Sequence, residues 1–262
     1  MSKNLLQHVM GGQSPKNNGL DGLIEKINSG YIANRGPRFQ QKKSFAPSTI
    51  AYGHGECPRY WYLAFEGGVF EDHADAFAGA NMTNGIKGHE RIQQAIKDSG
   101  ILIEDEFKIT YEDPPIFGFG DALVNWNGEE LLVEIKTAMQ EGFEYRKRTL
   151  KAKNGHLIQL LLYMKILKKA KGVIIYENKN NHELLAIPVE VNDYYRSWVD
   201  QTFEWMRVVR KNWEDKTLPT KNYRSNSKIC KTCPLRAVCD QAGEGEIKIN
   251  SLEPLDEALS MV

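Results

Sequence analysis

The sequence predicts an α/β fold, a mixed β-sheet covered by helices. Three observations carry that expectation. Three strand-like segments follow one another between residues 101 and 137. A helical pattern and then a returning strand pair come directly after them. With 262 residues, 41% of them hydrophobic and 26% charged, the chain is long enough to bury one sizeable core.

The elements read in order as follows. Residues 1–45 form a lead-in with one short helix around Leu20–Asn28, because Gly11, Gly12, Asn17, Asn18 and Gly19 oppose anything longer before it. Ser48 and Thr49 are capping residues for a helical stretch that carries Cys57 and the cluster Tyr60-Trp61-Tyr62. A long helix spans roughly Asp75–Ser99, and Gly100 stops it. The strands are Ile101–Tyr111, Ile116–Trp126 and Glu130–Thr137. Pro114-Pro115 separates the first two, and Asn127-Gly128 is a tight-turn signal between the second and third. A helix at His156–Lys169 leads to strands Gly172–Tyr176 and Glu183–Val191, which flank the polar turn Asn178–Asn181. The helix Asp193–Asp215 follows, its Trp198, Phe203, Trp205, Met206 and Trp213 spaced for core packing. The expected organisation is a lead-in (1–45), a core (46–215), a cysteine segment (216–240) working with Cys57, and an acidic mobile tail (241–262).

Composition narrows the function classes. The apolar run Leu157–Leu167 is interrupted by Gln159 and Lys165 and is too short for a membrane span. Met1–Met10 lacks the apolar segment of a secretory signal, so a cytoplasmic protein is expected. A net charge of zero offers no global attraction to nucleic acid. Two local runs remain: Arg35, Arg38, Lys42, Lys43, and Arg146, Lys147, Arg148, Lys151, Lys153. Each reads as a solvated surface unless a nearby site must hold a phosphate backbone.

The chemistry concentrates in two places. In Leu131–Thr137 alternation puts Glu134 and Lys136 on the same face as Leu132, and Val133 and Ile135 on the other. Glu-x-Lys alone reads as a surface ion pair. Asp121 changes that, because counting back from the Asn127-Gly128 turn sets it across from the neighbourhood of Glu134, with Gly118 and Gly120 leaving room for close approach. Two carboxylates meeting on one sheet face repel unless a cation lies between them, and hard oxygen ligands suit Mg2+ or Mn2+. Lys136 is placed to stabilise charge developing on a phosphate. The second place is the cysteines: Cys230, Cys233 and Cys239 in C-x2-C-x5-C, and Cys57 far upstream. Thiols so distributed in a reducing compartment point to zinc or an iron–sulfur cluster, and spacing does not decide between them.

Asp121 followed by Glu134-x-Lys136 on the next strand resembles the PD-(D/E)xK nuclease superfamily. Gly85…His89, Gln159…Tyr163 and the one-plus-three cysteines, in this order, narrow the resemblance to its RecB-like iron–sulfur branch. The chain is similar there to the CRISPR-associated RecB-like exonucleases and the nuclease domain of the helicase–nuclease AddB over about Ser48–Asp240. No G-x-x-x-x-G-K-[ST] phosphate loop, and so no helicase motor, is present in it. The resemblance implies a restriction-endonuclease-like sheet with a C-terminal iron–sulfur segment closed by Cys57. It implies a structural [4Fe–4S] cluster on Cys57, Cys230, Cys233 and Cys239, and metal-dependent DNA cleavage, often from single-stranded ends. His89, Asp121, Glu134 and the backbone carbonyl of Ile135 are then the expected metal ligands. Lys136, Glu134 and Asp121 are the expected catalytic residues, with Gln159 and Tyr163 steadying Lys136 or the DNA. The expected partners are DNA and proteins of recombination or CRISPR adaptation, with bacteriophage DNA metabolism an equally open setting. An endonuclease or flap-processing nuclease uses the same residues, and a DNA-binding adaptor is the rival from outside the enzymes.

Overall fold

A computed structural model describes residues 21–256. Residues 1–20 of the lead-in, with Leu20 of its helix, and 257–262 of the tail lie outside the described residues. The chain divides into two compact units. In the smaller, α1 (Asp21–Gly30) and the turn after it meet the start of the long helix α4 (Ala76–Asp98), where Gly79 backs onto the Tyr31 carbonyl.

The larger unit holds a five-stranded sheet in the order β3 (Leu102–Tyr111), β4 (Ile116–Trp126), β5 (Glu129–Ala138), β6 (Lys171–Asn178), β7 (Leu184–Glu190). All pairs are antiparallel except β5–β6. That parallel pair requires a crossover, which α5 (Gln140–Thr149) and α6 (Asn154–Leu167) supply. The mixed sheet flanked by helices is therefore as expected. α5 was not expected, because its sequence reads as a charge run with a single buried anchor, Phe143.

Two cores sandwich the sheet. Ile92 and Ile96 of α4 cover Ala122, Val124, Val133, Ile135 and Val173 on one face. On the other, Leu132, Ile174 and Ile187 meet α6, α3 (Pro58–Glu66) and α7 (Asp193–Glu214). Among the described residues, no helix is long and apolar enough to cross a membrane.

Three expectations need correction. The helical stretch expected from Ser48 is broken into α2 (Pro47–Ile50), a 3-10 turn (Gly53–Glu56) and α3, with Ala46 rather than Ser48 at the first cap. Pro58 is the cause: it disfavours helical backbone at Cys57, which is extended (φ −92°, ψ 119°) and starts α3 instead of lying within it. The lead-in ends earlier than 45: β1 (Arg38–Gln40) pairs with β2 (Gly68–Phe70), and Phe45 is fully buried. The described part of the tail is packed, not mobile. Ile249, Leu252 and Leu255 are buried, and the indoles of Trp198 and Trp205 donate to the carbonyls of Glu253 and Asn250. An overall acidic composition hides those three apolar anchors.

Candidate active site

Asn127 and Gly128 both have positive φ, which closes the β4–β5 turn. From that turn the ladder runs back to Ala122 opposite Val133. Asp121 is next in line, and its carboxylate Oδ2 accepts the Ile135 N–H at 2.6 Å. The β3–β4 hairpin also changes cores here. Phe107, Ile109 and Ile116 join the core under α6, whereas Ala122 and Val124 join the core under α4. The switch falls at Asp121 and Glu106, whose φ is +47°. Gln93 of α4 fastens it, donating to the Asp121 carbonyl and to Glu106 Oε1, both at 2.9 Å.

Glu134 is 1% exposed and pairs with Lys136 Nζ. Asp121 Oδ1 lies 3.6 Å from His89 Nδ1. Gly88 brings that helix so close, since a Cβ there would meet Thr137 Cγ2 at 2.6 Å. Burial and the charge of Asp121 push the Glu134 carboxyl up to about 8, against the pull of Lys136. Burial also works against an ionised Asp121, but His89, Lys136 and the Ile135 N–H outweigh it and hold that carboxyl below its usual range. Lys136 keeps its charge. Burial opposes the ammonium, yet Glu134 and Asp121 raise its pKa overall. Asp121 is thus held ionised, while Glu134 resists ionising chiefly because it is buried.

Gln159 and Tyr163 stand one turn apart on α6, Tyr163 buried and Gln159 half-buried. The Tyr163 hydroxyl is engaged by Gln159 and by the backbone N–H of Phe119, and the ring is 2% exposed. Gly118 makes this possible, because a Cβ there would lie 2.3 Å from Tyr163 Oη. Tyr163 therefore packs directly against the strand segment that leads into Asp121.

Behind Lys136 lies a group that sequence reasoning missed. Tyr176 is opposite Lys136 across the parallel ladder, and its hydroxyl is 2.9 Å from His156 Nδ1. The Arg146 guanidinium sits 4.9 Å from the Tyr176 ring centroid, with a buried Nε that has no partner. Burial, then the charges of Lys136, Lys153 and Arg146, push His156 down to about 3, so it is neutral. Position three before Gln159 was the one available signal for His156. Of the expected basic runs, Arg146 and Lys153 thus lie around His156 and Tyr176, while Lys147 pairs with Glu183 and Lys42 faces the Phe70 ring.

Cys57, Cys230, Cys233 and Cys239 all line one cavity of about 40 Å3. None is in a disulfide. Burial pushes Cys57 up to about 11 and Cys233 up to about 12, so both are neutral thiols. The short helices α8 (Lys228–Lys231) and α9 (Arg236–Gln241) carry Cys230 and Cys239, and Cys233 lies in the link between them. Buried Arg59 ties this segment to α3 by donating to the carbonyls of Pro219, Cys239 and Gly243. Among the described residues, no three His, Cys, Asp or Glu side chains converge as tightly as a bound metal ion requires. The cavity has the ligand number and softness for a thiolate-bound metal group, with the thiols standing apart. The Asp121–Glu134 pair has the hard donors for a divalent cation.

No protein-family model matches the chain, and no curated protein sequence matches it. Solved structures do. The alkaline exonuclease LHK-Exo from Laribacter hongkongensis superposes with a TM-score of 0.53, covering 72% of this chain and 95% of its own at 13% identity. LHK-Exo in complex with dAMP gives 0.51, with 73% and 93% covered at 12% identity. The structure of SSO0001 covers 84% of this chain and 97% of its own, at 15% identity and a TM-score of 0.46. The chain shares the fold of the alkaline exonuclease.

Proposed function

We propose that this chain is a metal-dependent DNA nuclease of the PD-(D/E)xK superfamily, RecB-like branch, acting as an exonuclease on single-stranded DNA. The observation that carries the reading is that Asp121 accepts the Ile135 N–H across adjacent strands while Glu134, the residue before Ile135, pairs with the Lys136 ammonium, on a fold shared with an exonuclease. Asp121 and Glu134, with His89 and the Ile135 carbonyl, are the residues that would hold Mg2+ or Mn2+, one ion or two. The chemistry such an ion would supply there is a more acidic bound water and neutralisation of phosphate charge. Lys136, kept charged by both carboxylates, faces the charge that develops on the phosphate during attack. Tyr163, steadied by Gln159, keeps β4 and hence Asp121 in register.

Four thiols on one cavity support a [4Fe–4S] cluster on Cys57, Cys230, Cys233 and Cys239. Its role is structural, tying the start of the nuclease core to the segment after α7. End-labelled linear and circular single-stranded DNA, each with manganese or with chelator, test the activity. Stepwise shortening of the linear strand only, and only with metal, is expected. Cutting of the circle points to an endonuclease, and binding without cleavage points to an adaptor.

A further inference from the structure

We infer that Phe117 and Phe119 form a stacking step for unpaired bases of the DNA strand entering the Asp121 centre, an assignment that rests on the nuclease reading above. The β4–β5 ladder begins only at Ala122, so residues 116–120 of β4 extend past β5 and pair with β3, Lys108 opposite Phe119 and Thr110 opposite Phe117. One side of this arm is buried through Phe107, Ile109 and Ile116. The other is open: Phe117 is 41% exposed, Phe119 43%, and Lys108 and Thr110 are exposed beside them.

Single exposed phenylalanines are ordinary. Here two touch edge to face, with ring centroids 5.3 Å apart and planes at 82°. They alternate with Gly118 and Gly120, which admit Tyr163 and the Phe107 ring on the buried side and so keep the arm thin and rigid. Tyr163 packs directly on Gly118, between the two phenylalanines. Phe119 precedes the metal-binding Asp121 by two residues, about 7 Å along a strand.

Water-facing rings on a rigid strand, with a cation at their side, match what an unpaired strand offers. Every base has a π-face that stacks on an aromatic ring without regard to sequence, and the phosphates between bases favour Lys108. A duplex keeps its bases stacked on one another and offers the rings nothing. The step therefore selects single strands at the entrance to the centre.

The test measures binding of labelled oligothymidylate in chelator, with the bases intact or removed at successive positions near the bound end. The proteins compared are the parent, Phe117→Leu, Phe119→Leu and Phe119→Tyr. Removing a stacked base should weaken the parent roughly tenfold. Each leucine variant should bind the intact strand more weakly by a similar factor and lose nothing further at that abasic position, and Phe119→Tyr should restore the parent's pattern. Leucine variants that match the parent, or that lose as much as it does at every abasic position, overturn the stacking step. A parent that discriminates bases yet cleaves nothing with manganese overturns the nuclease reading alone. A parent that cleaves but ignores base removal overturns the stacking step alone. One that binds no single strand overturns both.

Discussion

Gly118→Ala probes how the fold delivers Asp121. The new Cβ would stand 2.3 Å from Tyr163 Oη and 3.0 Å from two carbons of its ring. Gly118 does not need its conformational freedom, since its φ is not positive, so the substitution acts through contact alone. Tyr163 has little room to retreat, being buried in the main core and hydrogen-bonded at its hydroxyl. Overpacking of this kind costs about 1–3 kcal/mol. At roughly 2–4 °C per kcal/mol for a protein near this size, the melting temperature should fall by roughly 2–12 °C. Cleavage should fall by more than the loss of folded protein explains, because displacement of a catalytic group by about 1 Å costs on the order of a hundredfold. Tyr163→Phe removes the closest atom and so relieves part of the clash with the new Cβ. The double variant should lose less than the sum of the two, with a coupling of about 0.5–3 kcal/mol. Thermal melts and initial rates on single-stranded DNA measure all four proteins. Parent-like melting and rate in Gly118→Ala, or strict additivity in the double variant, refutes the argument.

Two further outcomes are expected. Glu134 has a folded-state pKa raised to about 8, so in metal-free protein its contribution to stability is present below its ordinary value of 4.5 and is lost as pH rises through about 8. Asp121 is lowered and behaves oppositely, its contribution being lost only at acid pH. Metal requires both ionised, so the rise in melting temperature on adding Mg2+ should be larger above pH 8 than well below it. Equal rises at both, or a pH dependence that survives Glu134→Gln, count against this pairing. Anaerobically purified protein should be brown with about four iron atoms per chain, and Cys57→Ala should melt lower with activity falling in consequence. Colourless protein holding one zinc, or a parent-like melt in an inactive Cys57→Ala, contradicts the cluster or its structural role.

How much of this was legible depends on sequence distance. The Asn127-Gly128 turn sets the β4–β5 register by local backbone chemistry, so the approach of Asp121 to Glu134 follows from counting residues. Alternation along β5 likewise separates Glu134 and Lys136 from Val133 and Ile135. The change of core at Asp121 does not follow, because it depends on the positive φ of Glu106 and on Gln93 reaching across from α4. Tyr176 reaches Lys136 only through a parallel pairing made after a two-helix crossover, and no local period reports such a partner. The packed tail was hidden similarly, since Trp198 and Trp205 find their carbonyl acceptors about fifty residues away.

The central claim is that Asp121, Glu134 and Lys136 act as one metal-dependent centre for phosphodiester hydrolysis. The most direct test is the initial rate of single-stranded DNA cleavage in manganese for the parent, Asp121→Ala and Lys136→Ala, each shown by its melt to be folded. Both variants should cleave slower by about a hundredfold or more, the scale of losing one electrostatic stabiliser. Only Asp121→Ala should also lose the metal-induced rise in melting temperature. Near-parent rates in both folded variants would contradict the account.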